Sequence, residues 1–280
     1  MARIPRKFLK NPNAAYHVIS RTALPGHNVL GPAEKDHLLY LFRWLSKIFF
    51  VEVYGFCIMG NHFHLLCRML PPESFSDEEI IYRIKLYYGD RRKICLTRDR
   101  IVYFRKRFSD LSRFVQEIKQ RFSRWYNKIH NRKGYFWSDR FKSVIIEKGE
   151  ALLNCLAYID LNPVRAGLVE RPEHYRWCSL GYHLGTGNKE EFLSTNLGII
   201  EFTNKGYRKR LEIYRKFVYG KGGIGDRHKV NKDSFQQRIR YFSEGLFIGT
   251  EKFVKEALAE LKERLGLKRK VIFIDAYAYS

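Results

Sequence analysis

The chain has 280 residues, 45% of them hydrophobic and 15% aromatic, which supports a sizeable core and argues against wholesale disorder. Its 52 Lys and Arg against 29 Asp and Glu give a formal charge of +23 and a pI near 9.9, a surplus that calls for a polyanionic partner such as nucleic acid. The most apolar stretch, HLLYLFRWLSKIFFVEVYGFCIMG, is interrupted by Arg43, Lys47 and Glu52, and the basic start MARIPRKFLKNPN lacks an apolar core, so neither a membrane span nor a secretory signal is expected.

In chain order, AAYHVISRTAL (14–24) alternates and is rich in β-formers, which predicts a strand. Residues 34–49 place Leu38, Leu41, Phe42, Leu45, Ile48 and Phe49 at helical spacing. A strand is expected over 51–59, a two-residue hairpin turn at Gly60-Asn61, and a strand over 62–69. Residues 71–108 open on Pro and become strongly basic, and read as an insertion with some helix. From Ser109 a helix is predicted, with Phe114, Val115, Ile118, Phe122, Trp125 and Ile129 on one side. A strand follows over 140–149, then a helix over 150–162 that Pro163 is expected to stop.

The order β-α-β-β-α-β is the ferredoxin-like arrangement, an α+β fold with an antiparallel sheet, two helices on one face, and the other face left open. A tyrosine-bearing helix follows it. This domain is expected over 10–185, with 71–108 inserted, then a variable basic segment and linker over 186–233 and a helical C-terminal extension over 234–280. GKGGIG (220–225) matches G-x-G-x-x-G, but no predicted strand precedes it, so it reads as flexible chain rather than a dinucleotide site. Residues 250–265 carry Val254, Ala257, Leu258, Leu261 and Leu265 along one helical side. Five cysteines (Cys57, Cys67, Cys95, Cys155 and Cys178) are scattered without a C-x-x-C pair, as in the reduced thiols of a cytoplasmic protein.

Residues two apart on a strand share a face, about 6.6–6.8 Å between their Cα atoms. His62 and His64 therefore point one way with Leu66 and Arg68, and Phe63, Leu65, Cys67 and Met69 point the other. Two imidazoles at that spacing either converge on one cation or are two solvent-facing polar residues of a half-buried strand. Cys67 falls on the wrong face to join them. In LAYIDLNPVRAG (156–167), Tyr158 and Asn162 stack at i, i+4 on a stripe beside the apolar one formed by Leu152, Cys155, Leu156 and Ile159, although Pro163 disfavours helical geometry at Asn162.

Taken as an ordered set, YHVISR, GNHFHLL, GYFWSDRFKSVII and YIDLNPVRAGLVERPEHYRWCSLG resemble the HUH single-tyrosine transposases, in particular the REP-associated branch with its insertion-sequence-200-like transposase domain, over roughly residues 14 to 185. The resemblance implies the ferredoxin-like fold and metal-dependent cleavage and rejoining of single-stranded, hairpin-forming DNA. His62 and His64 would be metal ligands with Asn162 completing the site, the metal would be Mg²⁺ or Mn²⁺, and Tyr158 would be the nucleophile that forms a 5′-phosphotyrosine. Lys119, Arg124, Arg140, Lys142 and Arg165 are the candidate phosphate contacts. Phe136 and Trp137 either stack on unpaired bases or pack in the core. Relatives of this kind act as monomers or homodimers. Two rivals stand beside this reading. One is a rolling-circle replication initiator or relaxase, which would add a helicase or a second tyrosine. The other is a non-catalytic, domesticated nucleic-acid-binding protein on the same scaffold.

Overall fold

The computed structural model describes residues 9, 11, 14–24, 28–89, 95–196, 204–224, 241–265 and 276–277. Among them a mixed six-stranded sheet has the order β2-β3-β1-β4-β5-β6. Strand β1 (Ala14–Arg21) lies between β3 (His62–Met69) and β4 (Lys142–Glu147), antiparallel to both, and β2 (Val51–Ile58) pairs antiparallel with β3. The expected strands are all present. The sheet is nevertheless not wholly antiparallel, because β5 (Phe247–Ile248) adds to β4 in parallel and β6 (Ala276–Tyr277) adds to β5 in the same sense.

The first face carries the expected helices. Helix α1 (Pro32–Ser46) starts with proline in its first turn, where the missing N–H has no intrahelical partner to lose, and buries Leu38, Leu41, Phe42 and Leu45. Helices α2 (Asp77–Tyr88) and α3 (Arg98–Phe108) are capped by the Ser76 and Thr97 side chains. They occupy the stretch read as an insertion, and their Ile80, Ile84, Phe104 and Phe108 are buried in the same core as α1. Helix α4 (Leu111–Ile129) is capped by Asp110, whose carboxylate accepts from the N–H groups of Ser112 and Arg113. Against α1 and α4 lie Tyr16, Val18, Phe63, Leu65 and Cys67, the strand parity expected for β3.

The second face was expected to be open, and it is covered. Leu66, Val144 and Ile146 stand on it, and leaving a side chain of that size in water forgoes about 2 kcal/mol each. Helices α5 (Glu150–Asp160), α7 (Ser179–Thr186) and α8 (Tyr207–Gly222) close over them, with the helical residues 241–244 beside them. Helix α5 is consequently buried on nearly every side rather than along one stripe. Helix α9 (Glu251–Leu265) returns to the first face with Phe253, Val254, Ala257 and Leu261.

Three local expectations change. Pro163 does not stop the chain's helical course: Leu161 keeps helical angles, and α6 (Asn162–Arg165) continues for one turn with proline in its first positions. The linker expected over 220–233 is not found at its start, because Gly220 and Gly222 lie in α8 and Gly223 caps it at φ 62°; residues 225–233 lie outside the described residues. Gly60-Asn61 forms the hairpin turn, closed by Met59 N–H donating to His62 O, but neither residue has the positive φ of the primed hairpin turns. Gly60 is there for space, since a Cβ would stand 2.3 Å from Asn28 Oδ1.

One glycine sets the distance between sheet and tyrosine helix. Gly55 sits beside an irregularity in the β2–β3 register, and a Cβ there would lie 2.1 Å from Leu156 Cδ1 and 2.7 Å from Ser179 Oγ. Gly55→Val should lower stability by about 3 kcal/mol through overpacking, seen as a lower urea midpoint at unchanged m-value. An unchanged midpoint would show that α5 can lift off the sheet freely.

Candidate active site

Register places the chemistry. Arg21 is the cross-strand partner of His62, Ile19 of His64 and His17 of Leu66, so His17, Arg21, His62 and His64 share the second face. The His62 and His64 rings are perpendicular with centroids 5.0 Å apart. They are not solvent-facing polar residues on an open face: His64 is 3% exposed and His62 is half-buried. His17, fully buried, lies edge to edge with His64, the rings 23° from coplanar with centroids 5.0 Å apart, and its Nε2 is 2.9 Å from His64 Nδ1. Its Nδ1 donates to the Phe242 carbonyl over 2.7 Å, while Asn61 Oδ1 holds His62 Nδ1 at 2.6 Å.

Helix α5 brings Tyr158 over this cluster. Its ring centroid is 5.7 Å from that of His64 and 5.9 Å from that of His17, edge-on to both, and the Phe242 ring stacks on it at 5.1 Å. The hydroxyl is hydrogen-bonded to the Ser243 side chain. The expected placement of Tyr158 beside the core is thus changed: it is 5% exposed, inside the second core. Asp160 fixes the helix in this position. It accepts from Ser179 Oγ at 2.7 Å, Leu180 N–H at 2.9 Å and the Tyr214 hydroxyl at 2.6 Å, tying α5 to α7 and α8. Asn162 donates from Nδ2 to the Tyr158 and Ile159 carbonyls, 3.1 Å each, leaving Oδ1 as the atom not used in those bonds. Arg165 donates to the Tyr158 carbonyl at 2.7 Å and sets its guanidinium 4.5 Å from the Tyr158 ring centroid.

Burial controls the ionisation. It pushes His62 and His17 down to about 4, with Arg21 adding to the effect at His62 and the Phe242 carbonyl opposing it at His17. Burial also holds His64 well below the ordinary imidazole value, helped by its histidine and arginine neighbours. It raises Tyr158, with Arg165 pulling the other way. At neutral pH the cluster is therefore three neutral imidazoles and a protonated phenol. Neutral imidazoles are what a cation requires. Among the described residues no group of three or more His, Cys, Asp or Glu side chains is placed to hold a metal, so a cation held by His62 and His64 would need its further ligands from another oxygen, water or substrate. Cys67 lies in the first core, as parity predicts, while Cys57 shares the histidine face as the cross-strand partner of His64.

The candidate DNA contacts divide between two places. Lys119, Arg124, Phe136, Trp137 and Arg140 line an open groove of about 860 Å³ between α4 and residues 134–141, together with Gln116, Gln120 and Tyr135. Phe136 and Trp137 are 3% and 8% exposed, so they are the groove's packed wall, whereas Tyr135 is 91% exposed. Lys119 Nζ is 2.5 Å from the Asp139 carbonyl and lies over the Trp137 ring. Residues 136–138 are hydrogen-bonded to the end of β1, through Ala23 N–H to Phe136 O and Ser138 N–H to Arg21 O, one strand from His62. Lys142 and Arg165 lie on the tyrosine side: Lys142 is exposed and pairs with Ile19 opposite His64, and Arg165 covers Tyr158.

Sequence reasoning missed His17, Arg21, Phe242 and Ser243. The first two were legible in YHVISR, whose alternation puts His17 and Arg21 on one face. The last two lie in YFSEGLFIGTEKFV (241–254), which resembles a C-terminal segment of some longer relatives but shows no role at the site, because Phe242 meets His17 from 225 positions away and both residues meet Tyr158 across more than 80.

No family model matches the sequence, and no curated protein matches it. Among solved structures, one described as the REP-associated tyrosine transposase bound to a REP hairpin is similar at a TM-score of 0.45 and 14% identity, covering 67% of this chain and 87% of that one. Among the described residues no helix is long and apolar enough to cross a membrane.

A pH dependence follows from the histidines. Unfolded imidazoles take up protons near 6.5, whereas His17 and His62 in the fold resist until about 4, so acid favours the unfolded chain. This contribution is complete above pH 6.5 and is lost as pH falls toward 4. The expected loss across that window is on the order of 3 kcal/mol for each of the two rings, read as a falling Tm, and a flat Tm would contradict buried neutral rings.

Proposed function

We propose that this chain is a metal-dependent single-stranded-DNA strand transferase with Tyr158 as nucleophile, on a sheet whose strands β1 to β4 follow the ferredoxin-like order. The observation that carries the reading is the meeting of Tyr158 with the His62–His64 pair on one face, at 5.7 Å between the Tyr158 and His64 rings. A divalent ion such as Mg²⁺ or Mn²⁺ held by His62 and His64, with Asn162 Oδ1 as the candidate third ligand, would withdraw charge from a phosphate oxygen.

The chain's own residues do the rest. Tyr158 Oη attacks phosphorus, the bond to the 3′ oxygen breaks, and the phenol proton is balanced by the one that the departing 3′-OH gains. The product is a 5′-phosphotyrosine. It keeps the phosphodiester's energy, so a 3′-OH can reverse the step without a nucleotide cofactor. Arg165 over the ring and Arg21 beside His62 are the cations that favour phenolate and phosphate. Lys142 on the same face and the groove at the end of β1 are the candidate path for the strand.

One observation favours the non-catalytic reading. Tyr158 is 5% exposed beneath Phe242, with its hydroxyl bonded to Ser243, so a phosphate reaches it only if residues 241–243 shift. Incubation with labelled hairpin DNA and Mn²⁺ separates the two. A covalent adduct that disappears in Tyr158→Phe, and in the His62→Ala/His64→Ala double variant with affinity held within about threefold, supports strand transfer. Binding without any adduct supports the rival. In the groove, Arg124→Ala with Arg140→Ala should reduce the slope of log K against log salt by about 1.4, the value for two phosphate contacts to a single strand. An unchanged slope would move the DNA elsewhere.

A further inference from the structure

Resting on the strand-transfer reading for its use, we propose that His17 is a positioning residue that fixes the tautomer of His64, relaying a constraint set by the Phe242 carbonyl. Each step is elementary hydrogen-bond chemistry. A carbonyl oxygen only accepts, so the 2.7 Å contact to Phe242 O puts the proton of His17 on Nδ1. A neutral imidazole has one N–H, which leaves His17 Nε2 with a lone pair. That lone pair faces His64 Nδ1 at 2.9 Å, so His64 Nδ1 must be the donor. His64 then carries its own lone pair on Nε2, the nitrogen left for a ligand role.

The same outcome is reached independently at His62. Its Nδ1 is 2.6 Å from Asn61 Oδ1, an amide oxygen that only accepts, which again leaves the lone pair on Nε2. The two rings of the pair are thus set alike by different partners, one local in the hairpin turn and one reaching across the sheet. His17 does more than fix a proton. It is fully buried and lies edge to edge with His64, the two rings only 23° from coplanar, so the His64 imidazole cannot turn over without breaking the bond between them. Outer partners of this kind orient a ligating histidine and raise its basicity, and removing one lowers metal affinity by about 10- to 100-fold. The relay also gives the chain's C-terminal part a role at the site. Its backbone oxygen at position 242 decides which nitrogen of a residue on β3 is free.

The test is ¹⁵N NMR of histidine-labelled, metal-free full-length chain, with the His64 signals assigned by their loss in His64→Gln. Wild type is expected to show a protonated, pyrrole-type Nδ1 and an unprotonated, pyridine-type Nε2 for His64. In His17→Leu the tautomer should become mixed or reverse, and Mn²⁺ affinity should fall about tenfold or more. His17→Gln should restore both, because its amide offers one donor toward Phe242 and one acceptor toward His64. A wild-type His64 protonated on Nε2 overturns the proposal on its own, so a His17→Leu chain that fails to fold does not shelter it. A folded His17→Leu with an unchanged tautomer overturns it as well. The readout is separate from strand transfer. The expected tautomer with no covalent adduct removes the enzymatic reading and leaves the relay standing, whereas an adduct with the opposite tautomer does the reverse.

Discussion

An imidazole taken out of water needs a partner for its N–H, and the second face of this sheet is arranged around that requirement. His17 is fully buried and His64 nearly so, which is tolerated because each has a matched neighbour. The match depends on residues far along the chain. The Phe242 carbonyl reaches His17 because the segment after it is pinned to the sheet edge. Ile145 N–H donates to Leu246 O, β5 pairs with β4, and Thr250 N–H donates to the Glu147 carboxylate. Gly249 permits that approach, since a Cβ there would stand 2.6 Å from Glu147 Cβ. A two-residue strand beside β4 is thus a structural condition for the proton arrangement in the centre.

The tyrosine's position is settled by a second buried polar group. Asp160 lies two residues after Tyr158, and burial pushes its carboxyl up to about 6 while three donors from α7 and α8 pull it back down. Those donors come from Ser179, Leu180 and Tyr214, so the two helices after α5 are needed to hold α5 at its height above the sheet. Gly55 sets the lower limit of that height. The helix is clamped between a missing side chain below and a carboxyl above, and Tyr158 Oη is placed as a result.

What the sequence made legible is the part with short-range periodicity. Strand parity put Phe63 and Leu65 toward the helices and His62 and His64 on the other face, and the helical repeat marked α1, α4 and α5. The covering of that second face was not legible. It depends on α7, α8 and residues 241–248, whose apolar residues, such as Leu180, Tyr214 and Phe242, are thinly spread and gain meaning only from contacts across the chain. Pro163 misled for a related reason. Proline breaks a helix interior, but here Leu161 already closes one helix and the ring occupies the start of the next turn, where no bond is lost. Helix was expected within 71–108 and is present, but its burial was not legible: charges dominate the pattern, while Ile80, Ile84, Phe104 and Phe108, paired at i, i+4, anchor the stretch in the core.

Burial also divides labour between the site and its surroundings. It lowers the imidazoles and raises the phenol, so the interior of the cluster carries no net charge at neutral pH and cannot by itself attract an anion. The cations stand around it: Arg21 at the end of β1, Arg165 over Tyr158, Lys142 on the face, and Arg124 and Arg140 in the groove. On the strand-transfer reading, attraction and chemistry therefore belong to different residues. The exposed cations are screened by salt and set affinity, whereas the buried lone pairs are shielded from it and set reactivity. A chain with a formal charge of +23 meets no shortage of polyanions, so on the same reading selectivity would reside in the neutral part, where a misplaced proton on His64 would close one of the two nitrogens left for a cation.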